Sequence, residues 1–288
     1  MLAFAALSAS AQTPDSRISL RDLTGEAIGG NPEILSARNT YAAWWRARES
    51  GPPDPMASME ANAEFQRYRA VHLGVISRLK QAYYRLQHSY AAQDLLRRHR
   101  ELFEAILQMA VDRYSAGVTA QSDVFKAQAR IGILEARLVK LEQERRASEA
   151  EIDAILNRAA GTPVGRPEDL KPKESVATLE ELFASATRPG GDAVNQPLRA
   201  RIQDAYLAAQ ASAKLMKIYA QAVAPNASLA LESSVLAYGA GRADFFSVIS
   251  DYVMSFDYAM GYLDESLNYL LALARLEEIT GRPLTDGI

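Results

Sequence analysis

The chain has 288 residues, enough for one or two domains with a sizeable core. Its 32 basic and 35 acidic residues give a formal net charge of -3, which lacks the excess of Lys and Arg that nucleic-acid binding requires. There is no cysteine, and this excludes disulfides, thiolate metal sites and a cysteine nucleophile. The composition therefore predicts no nucleic-acid partner, and it is compatible with an oxidising compartment.

The chain begins with the apolar run MLAFAALSASA, which ends in the small-x-small pattern that a signal peptidase cuts. We expect residues 1–11 to be the remnant of a signal peptide and the protein to be exported. The alternative is a ragged hydrophobic N-terminus, because no Lys or Arg precedes the run. No other stretch approaches the roughly 18 apolar residues of a membrane-spanning helix.

Helical patterns dominate the first half of the chain. Residues 59–115 contain no proline and a single glycine, so they predict one helix of about 85 Å. Further on, apolar residues recur at steps of three and four and predict a coiled-coil stripe, with Arg145 and Ser148 interrupting it. The apolar residues of this stripe are Ile131, Leu134, Leu138, Leu141, Ile152 and Ile155.

The sequence RYSAGVTAQSDV, residues 113–124, lies between these two helical patterns. We expect it to be the tip of a long antiparallel hairpin. Gly117 would end the first helix, and Ser122 or Asp123 would cap the helix that follows.

A stretch rich in Pro, Gly and charge at residues 159–175 predicts a linker. The pattern then restarts, because NQPLRARI from Asn195 resembles NPEILSAR from Asn31, and YGAGRADFF from Tyr238 resembles YSAGVTAQS from Tyr114. The chain thus divides into residues 12–165, a first hairpin repeat, residues 166–194, a linker, and residues 195–288, a shortened second repeat.

The second repeat is shorter than the first by about forty residues, since 83 residues separate Asn31 from Tyr114 and 43 separate Asn195 from Tyr238. We expect the missing part to come from the helix that descends to the second tip. Only residues 219–237 would remain of it, with Pro225 inside.

Ordered phrases at both ends of the two repeats resemble the TolC-type outer-membrane efflux proteins, and within them the heavy-metal efflux branch. These phrases are NPEILSAR, GPPDPMASM, LKQAYYRLQ, the stretch from RYSAGVTAQSDV to Arg158, YGAGRADFF and LARLEEITGRPL. The resemblance implies an all-α fold of long antiparallel helical hairpins in two tandem repeats, a TolC-like α-barrel subunit. The strand segments of the family's membrane barrel have no room in either repeat, so we expect little or no β-barrel.

The resemblance also implies the partners. It predicts a homotrimer whose hairpins form a hollow barrel through the periplasm, docked at its tips on a periplasmic adaptor (membrane fusion) protein that an inner-membrane pump feeds. Outer-membrane association is expected. The docking positions that the resemblance implies are Ala116, Gly117 and Val118 in the first tip and Ala240, Gly241 and Arg242 in the second. A glycine at such a position also ends a helix whatever its partner.

The resemblance also implies a constriction of the tunnel, which the family forms with an acidic residue six positions after the tip glycine. Asp123 matches this pattern, whereas the second tip has Ser247 there and places Asp244 and Asp251 nearby. Three-fold symmetry would turn one aspartate into a ring of carboxylates that favours cations. An alternative for Asp123 is a helix N-cap. Tyr238, the fourth constriction residue, would hold a closed tip together with Arg242.

The sequence contains no arrangement that predicts catalysis, a cofactor or a metal site. Its three histidines, His72, His88 and His99, lack the spacing of a helical zinc pair, and we expect them to be exposed or at the edge of a seam on a long helix. We predict a passive conduit in a tripartite efflux system, with heavy-metal cations as the suggested substrate. The alternative is a soluble exported coiled-coil scaffold or binding protein derived from the same family.

Overall fold

The computed structural model describes residues 17–49, 55–169, 177–186 and 195–285. The expected signal peptide, residues 1–11, lies outside them. In chain order the elements are β1 (Arg17–Ile18), α1 (Leu20–Gly30), α2 (Pro32–Glu49), α3 (Pro55–Ser115), α4 (Gln121–Leu156), β2 (Arg166–Pro167), α5 (Leu179–Ala186), α6 (Gln196–Ile218), a π-helical turn (Tyr219–Val223), α7 (Ala224–Gly239) and α8 (Phe245–Thr280).

The first hairpin is formed by α3 and α4. α3 has 61 residues and is therefore about 90 Å long, which confirms the long helix predicted from residues 59–115. The coiled-coil stripe of α4 is also confirmed, because Leu134, Leu141 and Ile152 are buried and Ser148 continues their spacing in the seam. The hairpin thus arises from a three-and-four repeat of apolar residues on a proline-free segment.

α2 runs along α3 in the opposite direction, away from the hairpin tip. The Glu33 carboxylate accepts hydrogen bonds from Arg78 at 2.7 Å, and Tyr41 stacks on Tyr68 with ring centroids 6.1 Å apart. The start of α2 is fixed by Asn31, whose side chain accepts from the first turn of α2 and donates to the carbonyl of Ile155 at 2.7 Å.

The second repeat departs from the prediction. α6, the π-helical turn and α7 form one continuous helix from Gln196 to Gly239 that runs towards the second tip. Asn195 does cap α6, as Asn31 caps α2, but the two helices run in opposite directions relative to their tips. The expected loss of most of the descending helix is therefore wrong.

Pro225 explains why that helix continues. It lies in the first turn of α7, directly after the π-helical turn, where Ala224 donates its N–H to the carbonyl of Tyr219. The wider turn shifts the hydrogen-bonding pattern just before a residue that has no N–H to donate. Pro225 is thus accommodated without a break.

The two hairpins are joined by α3 and α8. The ammonium group of Lys80 on α3 lies 2.6 Å from the Glu277 carboxylate on α8, and both side chains are buried. Glu277 also accepts the backbone N–H groups of Leu284 and Thr285 at 2.7 Å, so the same carboxylate fixes the C-terminal segment. Because the carboxylate of this buried ion pair is also hydrogen-bonded, the pair fixes the register of α3 against α8.

Two parts of the predicted linker, residues 166–194, are folded. β2 pairs in parallel with β1, and Tyr83 on α3 donates its hydroxyl proton to the carbonyl of Ile18 at 2.9 Å. α5 packs on α6 and α8 through the buried Leu182. Most of the other residues of this segment lie outside those described.

The architecture confirms the predicted all-α fold of long antiparallel hairpins in two repeats. α4 packs on α3, α3 on α8, and α8 on α7, so these helices lie side by side in that order. Among the residues that the structure describes, no helix combines the length and the apolar character that crossing a bilayer needs.

Candidate functional site: the two hairpin tips

The two hairpins end in turns with the same backbone geometry, which we call tip 1 (residues 116–120) and tip 2 (residues 240–244). In tip 1 the N–H of Val118 donates to the carbonyl of Arg113 at 2.9 Å, and in tip 2 the N–H of Arg242 donates to the carbonyl of Ala237 at 2.8 Å. These bonds satisfy the last carbonyl groups of α3 and α7 in the manner of a Schellman motif. The phrase that occurs twice in the sequence thus encodes one turn.

Glycine occupies the left-handed position of each turn. Gly117 has φ of +70° and Gly241 has φ of +73°, a region that residues with a Cβ atom enter at a cost. The predicted role of Gly117 as the helix stop is confirmed. The neighbouring residues Ala116, Val118, Ala240 and Arg242 are exposed with the glycines, and together they form the end surface of the helical layer.

The returning helices begin differently. α8 is capped by Asp244, whose carboxylate accepts from the backbone N–H of Ser247 at 2.8 Å, whereas the N-cap of α4 is Ala120, which has no side chain to offer. Ser122 and Asp123 are the second and third residues of α4, so the prediction that one of them caps this helix is wrong.

Asp123 is instead held by a side-chain contact before the helix. Its carboxylate accepts from the Thr119 hydroxyl and lies 3.6 Å from the ammonium group of Lys126. Tip 1 therefore carries its first-turn carboxylate three positions later than tip 2, where Asp244 is exposed and accepts from the Ser247 amide and hydroxyl. These hydrogen bonds from Ser247 lower the pKa of Asp244.

Tyr238 and its counterpart Tyr114 lie in opposite environments. Tyr238 is 1% exposed and packs against Phe245 with ring centroids 5.5 Å apart, while Tyr114 is 43% exposed. Burial raises the pKa of Tyr238. The ring of Tyr238 thus fills the space between tip 2 and the first hairpin.

Arg113 holds tip 2 against the first hairpin. Its guanidinium group lies over the Tyr238 ring at 4.7 Å from the centroid and donates to the Tyr238 carbonyl at 2.8 Å. The expected pairing of Tyr238 with Arg242 is wrong, because Arg242 follows the turn of Gly241 and is exposed, while Tyr238 points into the seam. Asp251 lies seven residues beyond Asp244 on α8 and is half-buried.

Arginine–aromatic contacts continue along the seam between the hairpins. Arg130 of α4 lies 5.4 Å from the Tyr252 ring centroid, and Arg137 lies 4.9 Å from that of Phe256. His99 of α3 packs edge-on against both rings. Burial lowers the pKa of His99 to about 4 and raises that of Tyr252 to about 12, so both stay neutral at pH 7.

The other histidines also lie beside helices. His88 contacts Asp264 of α8 at 2.8 Å, so His88 and His99 both lie on the face of α3 towards α8. His72 packs near Tyr68 of the same helix. Across the ranges that the structure covers, no three His, Cys, Asp or Glu side chains form a group that could hold a metal ion.

Sequence reasoning missed Arg113, Arg130 and Arg137. A signal for Arg113 was present, because RYSAG and AYGAG differ at their first position, so one tip carries an arginine that the other lacks. The partners of these arginines lie more than 100 residues away, on α7 and α8, and spacing along α3 and α4 does not reveal them.

Comparison with known proteins agrees with the helical-hairpin architecture. Residues 56–158, which comprise most of the first hairpin, match the family described as outer membrane efflux protein. No curated protein matches the chain.

Solved structures match nearly the whole length. The outer-membrane channel OprN superposes with a TM-score of 0.76 at 12% identity over 96% of each chain. The outer membrane protein VceC from Vibrio cholerae gives 0.72 at 13% identity, covering 92% of this chain and 97% of that one. CusC gives 0.71 at 12% identity over 94% of each. The chain has the fold of outer-membrane efflux channels.

Proposed function

We propose that the protein is the channel subunit of a tripartite efflux system, exported to the outer membrane and periplasm, where it is a passive conduit and no enzyme. The observation that carries this proposal is the pair of glycine turns at one end of a helical layer with the efflux-channel fold. Three copies would form the tunnel, and the inner-membrane pump would supply the energy.

The tips would dock on the adaptor protein. Ala116, Gly117 and Val118 in tip 1 and Ala240, Gly241 and Arg242 in tip 2 are exposed, and the glycines allow a partner backbone to approach closely. The turn hydrogen bonds of Val118 and Arg242 hold both tips in a defined conformation before a partner binds.

The narrow end of the conduit would be lined by carboxylates. Asp123 lies in the first turn of α4, Asp244 caps α8 and Asp251 lies in the second turn of α8, while Tyr238 is buried beside tip 2. Rings of these side chains would favour cations over anions. Heavy-metal cations are the proposed substrate on the basis of the sequence resemblance, and selection would come from charge.

The conduit is tested by expressing the protein with a matching adaptor and pump in cells that lack their own channel. Restored export supports the proposal. Release of the protein by osmotic shock without detergent, together with no export, overturns it in favour of the exported scaffold. Asp123→Asn in the purified channel is expected to lower the ratio of cation to anion conductance.

The docking surface is tested by a pull-down of the adaptor with the double variant Gly117→Ala and Gly241→Ala. We expect capture to fall at least fivefold while the helical circular dichroism is retained. Gly74→Ala is the matched control, because a Cβ atom at this position in α3 meets no atom within 4 Å. Unchanged capture by the double variant would remove the docking assignment.

A further inference from the structure

A polar cavity, which we call the end cavity, lies at the end of the helical layer opposite the tips. It is formed by α3, α5, α6 and the last turn of α8, and α3 and α6 pack on different faces of α8. Its volume of about 310 Å³ is at the lower end of the range for small-molecule sites, roughly 300 to 1,000 Å³. The lining residues used below are Gln66, Arg69, Arg201, Glu278 and Gly281. None of them belongs to tip 1 or tip 2, so the proposed conduit gives the end cavity no role.

The charged side chains of the end cavity are unpaired. Within the described ranges, the side chains of Arg69 on α3, Arg201 on α6 and Glu278 on α8 form no hydrogen bond or ion pair with the protein. The same holds for the side-chain amide of Gln66, which lies one turn before Arg69. Arg282, just outside the cavity, does lie 3.1 Å from a carboxylate of α5. Polar groups that converge on a cavity without pairing one another are typical of a binding site.

Arg69 is placed in the cavity by the glycine that ends α8. Gly281 has φ of +67°, and a Cβ atom at this position would overlap a terminal nitrogen of Arg69. The guanidinium group of the half-buried Arg69 therefore lies against bare backbone. The negative end of the α8 dipole favours a cation there, while the N–H groups of Arg69 stay free to donate to a ligand.

The three charges of the end cavity specify the ligand. The two guanidinium groups come from different helices, so each can take its own acid group, and arginine binds a carboxylate through two parallel hydrogen bonds. Glu278 adds one carboxylate, which can take an ammonium group. A ligand with two acid groups and one ammonium group thus balances all three charges.

We infer that the end cavity binds an acidic amino acid of the glutamate type. The carboxylates of the ligand lie on Arg69 and Arg201, and its ammonium group lies on Glu278. Because Arg69 belongs to the first repeat and Arg201 to the second, the bound amino acid connects the two repeats. This site goes beyond the proposed conduit and does not depend on it.

Isothermal titration calorimetry of the full chain with L-glutamate tests the site. We expect saturable binding at one site in each chain. Glutarate lacks the ammonium group and glutamine lacks one carboxylate, so each leaves a charge of the cavity unpaired and should bind about tenfold more weakly or worse. Titrations that show no saturable heat with glutamate, or equal affinity for the three compounds, would overturn the inference.

Three variants assign the charges. Arg69→Gln and Arg201→Gln should each weaken glutamate binding by about tenfold or more, and Glu278→Gln should remove the preference for glutamate over glutarate. Arg275→Gln is the matched control, because Arg275 is exposed on α8 one turn before Glu278 and lies outside the cavity. Helical circular dichroism confirms that each variant is folded. Unchanged binding by both arginine variants, or an equal loss in the control, would refute the site, and neither result would bear on export.

Discussion

Tip 1 and tip 2 share a backbone turn but differ in what surrounds it. Gly117 and Gly241 have the same φ within a few degrees and close the same hydrogen bonds. Tyr238, however, is buried under Arg113, while Tyr114 is exposed and the position equivalent to Arg113 in the second repeat is Ala237. The turn is therefore local, encoded by a short phrase, whereas the packing of each tip depends on a neighbouring helix.

The largest difference is expected between the two tyrosines. Tyr238→Ala should lower the free energy of unfolding by about 3 kcal/mol, because it empties a filled site in the core. Tyr114→Ala should change it by less than about 0.5 kcal/mol, as for other exposed positions. Urea unfolding followed by circular dichroism measures both. Equal losses would show that the tips are packed alike in solution.

Arg113→Met should come next, with a loss of about 2 kcal/mol. Methionine keeps the apolar stem but removes the charge over the Tyr238 ring and the bond to the Tyr238 carbonyl. In the Tyr238→Ala background the same change should cost clearly less, because the ring contact has already gone. Strict additivity in this double-mutant cycle would contradict a direct contact.

The glycines should behave alike. Gly117→Ala and Gly241→Ala should each cost about 1 to 2 kcal/mol, because alanine must adopt a left-handed conformation. A Cβ atom at Gly241 would lie 3.5 Å from the Arg113 guanidinium, an ordinary contact that adds no clash. Thermal unfolding of the two variants should therefore agree, and a much larger loss at one tip would show that the turns differ.

The smallest effects should come from the helix caps. Ala120→Asp supplies the missing cap of α4 and should stabilise the protein by about 0.5 kcal/mol. Asp244→Ala should destabilise it slightly at pH 7. Since the folded state lowers the pKa of Asp244, its contribution is present above the ordinary value of 3.8 and is lost as the pH falls through the lower folded value. Melting temperatures at pH 7 and at pH 3 test this dependence.

The sequence predicted the features that depend on neighbouring residues. The long helix, the stripe from Ile131 to Ile155 and the helix stop at Gly117 follow from spacing and from glycine. The cap was misassigned because Ser122 and Asp123 have side chains suited to capping. The turn, however, places the N-cap three residues after its glycine, which is Ala120 in tip 1 and Asp244 in tip 2. The direction of α6 was also beyond reach, since Asn195 signals where a helix begins and gives no information about which neighbour it follows.

The π-helical turn at Tyr219–Val223 makes the direction of the exposed residues of α7 sensitive to chain length. A turn of this kind holds one residue more than an α-helical turn, and each residue of an α-helix rotates the chain by about 100°. Deleting a single residue here would restore an ordinary helix and swing Leu229 and Leu236 out of line with the residues before the turn. An insertion or deletion at this place is thus a genetic change that rotates α7 relative to α6 while leaving every residue of α7 in the sequence.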